Sequence, residues 1–178
     1  MEALSDFTAY IAYLPLVISF FALFYCWKDV GARWLLTLLI TIGCFDSYSL
    51  QYTIHWTTHY YGWVILLNLL FIAPIIFRNA IALRIYKATQ STFFLEASKL
   101  KFSQQEAAIM LLCLISIAGH AISYVEVFLY KNFVIDILYF KNFLLAKLQI
   151  ILSVLSTLAI LSFAFKTKGL NYAQTKTV

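Results

Sequence analysis

The stretch Arg78–Glu106, RNAIALRIYKATQSTFFLEASKLKFSQQE, is a long hydrophilic break in an otherwise apolar chain. It holds Arg78, Arg84, Lys87, Lys99 and Lys101, five of the thirteen basic residues. The sequence on either side of it divides into apolar runs that approach or exceed the ~20 residues needed to cross a bilayer core as helix. The side of the membrane on which this stretch lies therefore sets the side of everything else.

Composition points the same way. The chain has 178 residues, 63% hydrophobic and 12% charged. A soluble domain carries about twice that share of charge. Backbone amides inside lipid must be satisfied within the segment, which leaves helices or a closed barrel. A barrel needs ~10-residue strands that alternate polar and apolar. Runs such as Leu14 to Tyr25 do not alternate. The expected fold is all-α, a polytopic membrane bundle of five transmembrane helices. Residues 1–178 form one integral membrane domain, with 78–106 as a cytoplasmic basic loop.

The first span reads as Phe7 to Trp27, with Pro15 inside it and Tyr10, Tyr13, Tyr25 and Trp27 toward its ends. Met1 to Asp6 is acidic and no small-residue cleavage site follows, so no signal peptide is expected to be removed. Span two starts near Trp34 and changes character at Asp46, Ser47, Ser49, Gln51, Thr53 and His55. Tyr52 to Tyr61 has the Tyr, Trp, Thr and His content of a headgroup boundary. Span three is Gly62 to Phe77, with Asn68 and Pro74. Its helix can run on through Arg84 and Lys87, and Thr89 to Thr92 looks like a break. Phe93, Ala97 and Leu100 then recur at helical spacing, as in a short amphipathic helix lying on the membrane surface. Ser103 followed by Glu106 is a capping-box signature that launches span four, which runs to about Tyr130. After a connection from Lys131 to Lys141, span five is Asn142 to Phe165, with Gly169 as a helix stop.

Counting basic residues orients the bundle. With the N-terminus outside and the C-terminus cytoplasmic, the inner segments hold Lys28, Arg33, the five of the central stretch, Lys166, Lys168 and Lys176, ten of thirteen. Lys131, Lys141 and Lys147 fall outside, as the positive-inside rule requires. A four-span alternative demotes the polar half of span two. It then puts a basic segment on the wrong side unless that half is re-entrant. The net charge of +5 is thus membrane-face charge, and no direct nucleic-acid binding is expected. Cys26, Cys44 and Cys113 all lie in apolar spans and read as reduced packing residues.

Asp46 is the sharpest single residue. It sits about twelve residues into span two, near mid-bilayer, where a carboxylate is costly unless it faces protein, water or a proton. Ser49 and Thr53 share its helical face. Two readings compete: a proton- or cation-handling site, and a carboxyl that glues neighbouring helices. His120 also falls deep in its span, with Cys113, Ser116 and Ser123 on its stripe, within possible reach of Asp46. His55 and His59 are four apart, a metal-compatible spacing. Trp56 stands where a metallopeptidase needs glutamate, so interfacial polar residues are the plainer reading. Glu126 and Lys147 read as an outer-leaflet ion pair or as snorkelling side chains. Gln149, Ser153 and Ser156, with Ala146 and Ala164, make a small-residue stripe for helix packing, within one chain or between copies.

No motif specifies a cofactor or a metal, and the leading expectation is not an enzyme. The expected role is that of an oligomeric or partner-binding component of a bacterial inner membrane. A sensor or effector arm of an antiviral defence or immunity system is one example. Its contacts to a cytoplasmic protein would be Arg78, Arg84, Lys87, Lys99 and Lys101. One rival is a small channel or proton-linked transporter lined by Asp46, Ser49 and His120. The other is an intramembrane haem, quinone or metal enzyme built on the three histidines.

Overall fold

Each apolar run folds as helix, and each polar interruption falls at a turn. The computed structural model describes residues 2–53 and 55–175, with side chains for residues 11, 13–53, 55–163 and 165. Tyr10, Ala164, Lys166, Lys168 and Lys176 lie outside the described side chains. In order come α1 (Glu2–Tyr25), α2 (Val30–Thr53), α3 (His59–Ile76), α4 (Arg78–Thr89), α5 (Thr92–Lys99), α6 (Gln104–Lys131), a π-helical turn (Phe140–Leu145) and α7 (Ala146–Thr175). No strand occurs among the described residues. Four helical stretches are long and apolar enough to cross a membrane: Val30–Thr53, His59–Ile76, Gln104–Lys131 and Phe140–Phe163. The described apolar part of α1 is shorter, Tyr13–Tyr25. Large apolar side chains point outward, Phe21 and Phe24 being 72% and 75% exposed. That is the inverse of a soluble bundle and the pattern that lipid favours.

Several boundaries depart from the sequence reading. Helix α2 begins at Val30, before Trp34, because Asp29 accepts the amides of Gly31 and Ala32 at 2.9 and 3.1 Å and caps the helix. The polar half of span two, which the four-span alternative demotes, remains helical to Thr53. Helix α7 runs through Gly169 to Thr175 rather than stopping there. His59 opens α3 while His55 lies in the preceding turn, so the two do not stack on one helical face.

Pro15 lacks the amide that would bond to Ile11, leaving that carbonyl exposed inside an apolar helix. The Ser153 hydroxyl of α7 donates to Ile11 O at 2.6 Å and closes the gap. That bond lays α1 along α7, and the pair stays together to the far end, where Ala22 and Cys26 share a cluster with Phe163. Leu35, Leu36, Phe71, Ile75, Ile109 and Ile160 belong to the same core.

The central hydrophilic stretch is a folded arm. Phe77 breaks α3 from α4, and Gln90 leaves α4 through a left-handed backbone with φ 55°. The apolar face of α5 turns onto protein instead of lying on lipid. Ala97 is fully buried, and Phe93 and Phe94 pack on Trp34 of α2, each ring centroid 6.4 Å away. The guanidinium of Arg33 sits 3.9 Å over the Phe93 ring. The capping box forms as read: Ser103 Oγ accepts from Glu106 N at 3.2 Å, and Ser103 N donates to Glu106 Oε2 at 2.8 Å.

The first and last residues of the arm meet. Arg78 donates to the other Glu106 oxygen, in a buried ion pair. Its second terminal nitrogen donates to Leu100 O and Lys101 O, each at 3.0 Å. Arg78 is 5% exposed, so its guanidinium is spent inside the fold and not on a partner. Arg84, Lys87, Lys99 and Lys101 remain exposed.

Candidate functional site

The helices position a polar cavity on the side of the core away from the arm. Along α2 the core residues are Leu35 and Leu36, and the cavity residues follow at Leu39, Ile42 and Asp46. Along α6 the core residue Ile109 gives way to Cys113, Ser116 and His120. Along α7, which runs the other way, Gln149, Ser153 and Ser156 precede Ile160 and Phe163. The bundle is thus layered, dry near the arm and polar beyond it.

The main cavity has a volume of about 520 Å³, and Asp46, Tyr60, Asn68, Ser116, His120 and Gln149 are among its walls. A smaller one of about 230 Å³ shares Pro15, Asp46, Val64, Asn68 and Cys113 with it. The two read as one cleft with Asp46 at the junction. Asp46 is exposed to that space, and its carboxylate makes no hydrogen bond or ion pair to a described residue. Tyr60 lies within electrostatic reach of it. Across the cleft, His120 Nε2 and Gln149 Nε2 are 3.1 Å apart, so the ring nitrogen accepts from the amide in the tautomer that leaves it unprotonated. His120 is 4% exposed, and its Nδ1 has no partner among the described residues. A buried donor left unpaired costs about 1–3 kcal/mol, so this ring is poorly satisfied by protein alone.

The close approach of α6 and α7 that makes this pair has a local cause. A Cβ on Gly119 would come within 2.7 Å of Leu148 Cδ2. The π-helical turn before α7 is held by Glu126, whose two carboxylate oxygens accept the amides of Phe140 and Lys141, each at 2.8 Å. Of the two readings of Glu126 and Lys147, the ion pair does not form, because free amides at a helix start outbid an exposed lysine for a carboxylate.

Asp46 and His120 therefore open on the same space, from helices far apart in sequence, without bonding each other. Ser49 does not join them. Its hydroxyl donates to Asp46 O at 3.0 Å and accepts from Trp63 Nε1 at 3.0 Å, tying α2 to α3. Gln149, Ser153 and Ser156, read as a packing stripe, line the cavity within one chain. Asn68 and Tyr60 carried too weak a pattern to be singled out. A lone amide or phenol in an apolar run shows its partners only in three dimensions. Among the described residues no three His, Cys, Asp or Glu side chains gather. No protein-family model, curated protein or solved structure matches the chain, so the chemistry of the site is read from these residues.

Proposed function

We propose that the protein crosses the membrane five times, through α1, α2, α3, α6 and α7, with the N-terminus outside and the C-terminus cytoplasmic. Its central cavity admits a small cation or a proton on its way across, and Asp46 is the group that attracts it. One observation carries this reading: within an apolar bundle, the Asp46 carboxylate opens on a polar cavity and pairs with no described residue. An ionised carboxylate at that depth is costly until a cation or proton neutralises it. Tyr60, Asn68, Ser116, His120 and Gln149 offer neutral polar groups along the same space.

The test is cation and proton flux into liposomes reconstituted with the full chain. Asp46→Asn should lower flux by about tenfold or more while the protein still elutes as the wild type does, and Asp46→Glu should retain part of it. Flux equal to that of empty liposomes, or untouched by Asp46→Asn, removes the reading.

A second reading rests on the arm. Arg84, Lys87, Lys99 and Lys101 are exposed on a folded element held by the Arg78–Glu106 pair, a rigid basic surface suited to an acidic cytoplasmic protein. A partner that co-purifies with the wild type and is lost from Lys87→Glu/Lys99→Glu/Lys101→Glu would favour it.

A further inference from the structure

A cavity of about 480 Å³ lies at the end of the bundle farthest from the arm, where α2 and α6 finish and α3 begins. Trp56, Tyr60, Tyr61 and Tyr130 wall it, together with Lys131 and Lys141. Tyr60 is also in the wall of the central cavity, so one ring stands between the two. The two cavities are opposite in charge. Asp46 serves the central one, and two lysines serve this one.

Among the described residues neither lysine makes a salt bridge. Among the described residues the ion pair present is Arg78–Glu106, at the other end of the molecule. Lys131 Nζ donates to the neutral Thr57 Oγ1 at 2.7 Å. Glu126 lies outside the lining and bonds two backbone amides, and its carboxylate is within electrostatic reach of Tyr61 in the cavity wall. Thr57 accepts from Lys131 and so keeps its own hydroxyl proton to donate. Lys131, Lys141 and Thr57 thus border one cavity with no protein carboxylate among its lining.

We propose that this cavity binds a phosphate group, as borne by the headgroup of an anionic phospholipid. Lysine is a point charge with rotatable donors, which suits a tetrahedral phosphate better than a planar carboxylate. The four aromatic rings are the residue types that settle at headgroup depth, which brings such a phosphate to the mouth of the cavity. The inference shares the membrane setting with the proposed function, but it stands apart from the role of Asp46.

Native mass spectrometry of the full chain in mild detergent tests it, with phosphatidylglycerol set against phosphatidylcholine. Phosphatidylglycerol should be retained about tenfold or more over phosphatidylcholine. Lys131→Gln/Lys141→Gln should abolish the preference, and Lys147→Gln, whose lysine is exposed outside the cavity, should keep it. Leu138→Trp, which fills the cavity and leaves both charges, should also weaken retention. Competition with inorganic phosphate and glycerol 3-phosphate separates the sources. Displacement assigns a free phosphate ester as a sufficient ligand, and persistence assigns the lipid headgroup. Equal retention of both lipids with no binding of either phosphate overturns the proposal. So does a preference unchanged in both the double Gln variant and Leu138→Trp. Asp46→Asn should leave retention intact, so a failure here is distinct from a failure of cation passage.

Discussion

At the scale of single residues, hydroxyl and carboxyl groups repair specific backbone defects. Ser153 answers the carbonyl that Pro15 frees on Ile11. Ser153→Ala should cost about 1 kcal/mol of stability in detergent unfolding, the size of a hydrogen bond between membrane helices. Pro15→Ala restores the amide that bonds to Ile11, so Ser153→Ala should be close to neutral in that background. A cycle over the two sites measures the coupling, and full additivity would show that the serine does not serve the proline. The Glu106 carboxylate serves two groups, the Ser103 amide and Arg78, and Ser103 Oγ accepts the Glu106 amide in return. Arg78→Met leaves that carboxylate buried and without its ion pair, and should cost about 3–5 kcal/mol. Arg78→Met/Glu106→Leu should recover part of that loss, less what the capping box contributed.

At the scale of elements, the contact between α6 and α7 controls the cavity. Gly119 lets the two helices approach, and the close approach places Gln149 against His120. Gly119→Ala should be mild, because the atom it meets is the tip of a leucine that can rotate. Gly119→Leu should push α7 away, cost about 1–3 kcal/mol as overpacking does, and reduce the cation flux of reconstituted protein. Unchanged unfolding and flux in Gly119→Leu would show that this contact does not set the cavity. The arm behaves as one element for a similar reason. Trp34, Phe93 and Phe94 hold its apolar side while the buried ion pair closes its base. Ser103→Ala should cost about 1 kcal/mol through the lost cap and leave the spans in place.

At the scale of the whole molecule, the layers follow one axis: basic arm, dry core, polar cavity with Asp46, and aromatic cavity with Lys131 and Lys141. The topology proposed from the charge distribution makes a direct prediction. With Cys26, Cys44 and Cys113 replaced by Ala, a single cysteine at Lys87 should react with an impermeant maleimide from the cytoplasmic side alone. One at Lys131 should react from the outer side alone. Labelling of both from one side would break the five-crossing arrangement.

The sequence by itself determined the helical membrane class, the turn positions within a few residues and the capping box at Ser103 and Glu106. Each of these depends on neighbours in the chain: run length, helical period, and side chains three residues apart. It also marked Asp46 and His120 as costly polar groups within long helices, although the start of α2 at Val30 puts Asp46 past the middle of its helix. What only the tertiary structure decided is which polar groups meet. Ser49 turned to Trp63 and away from the cavity, and Ser153 served Ile11 while lining the cavity with Gln149 and Ser156. Glu126 took two backbone amides in place of Lys147. Arg78 closed on Glu106 from the far end of the arm. Those outcomes depend on helix rotation and on the offset between helices. Packing volumes at sites such as Gly119 and the carbonyl freed by Pro15 fix both, and no local periodicity encodes them.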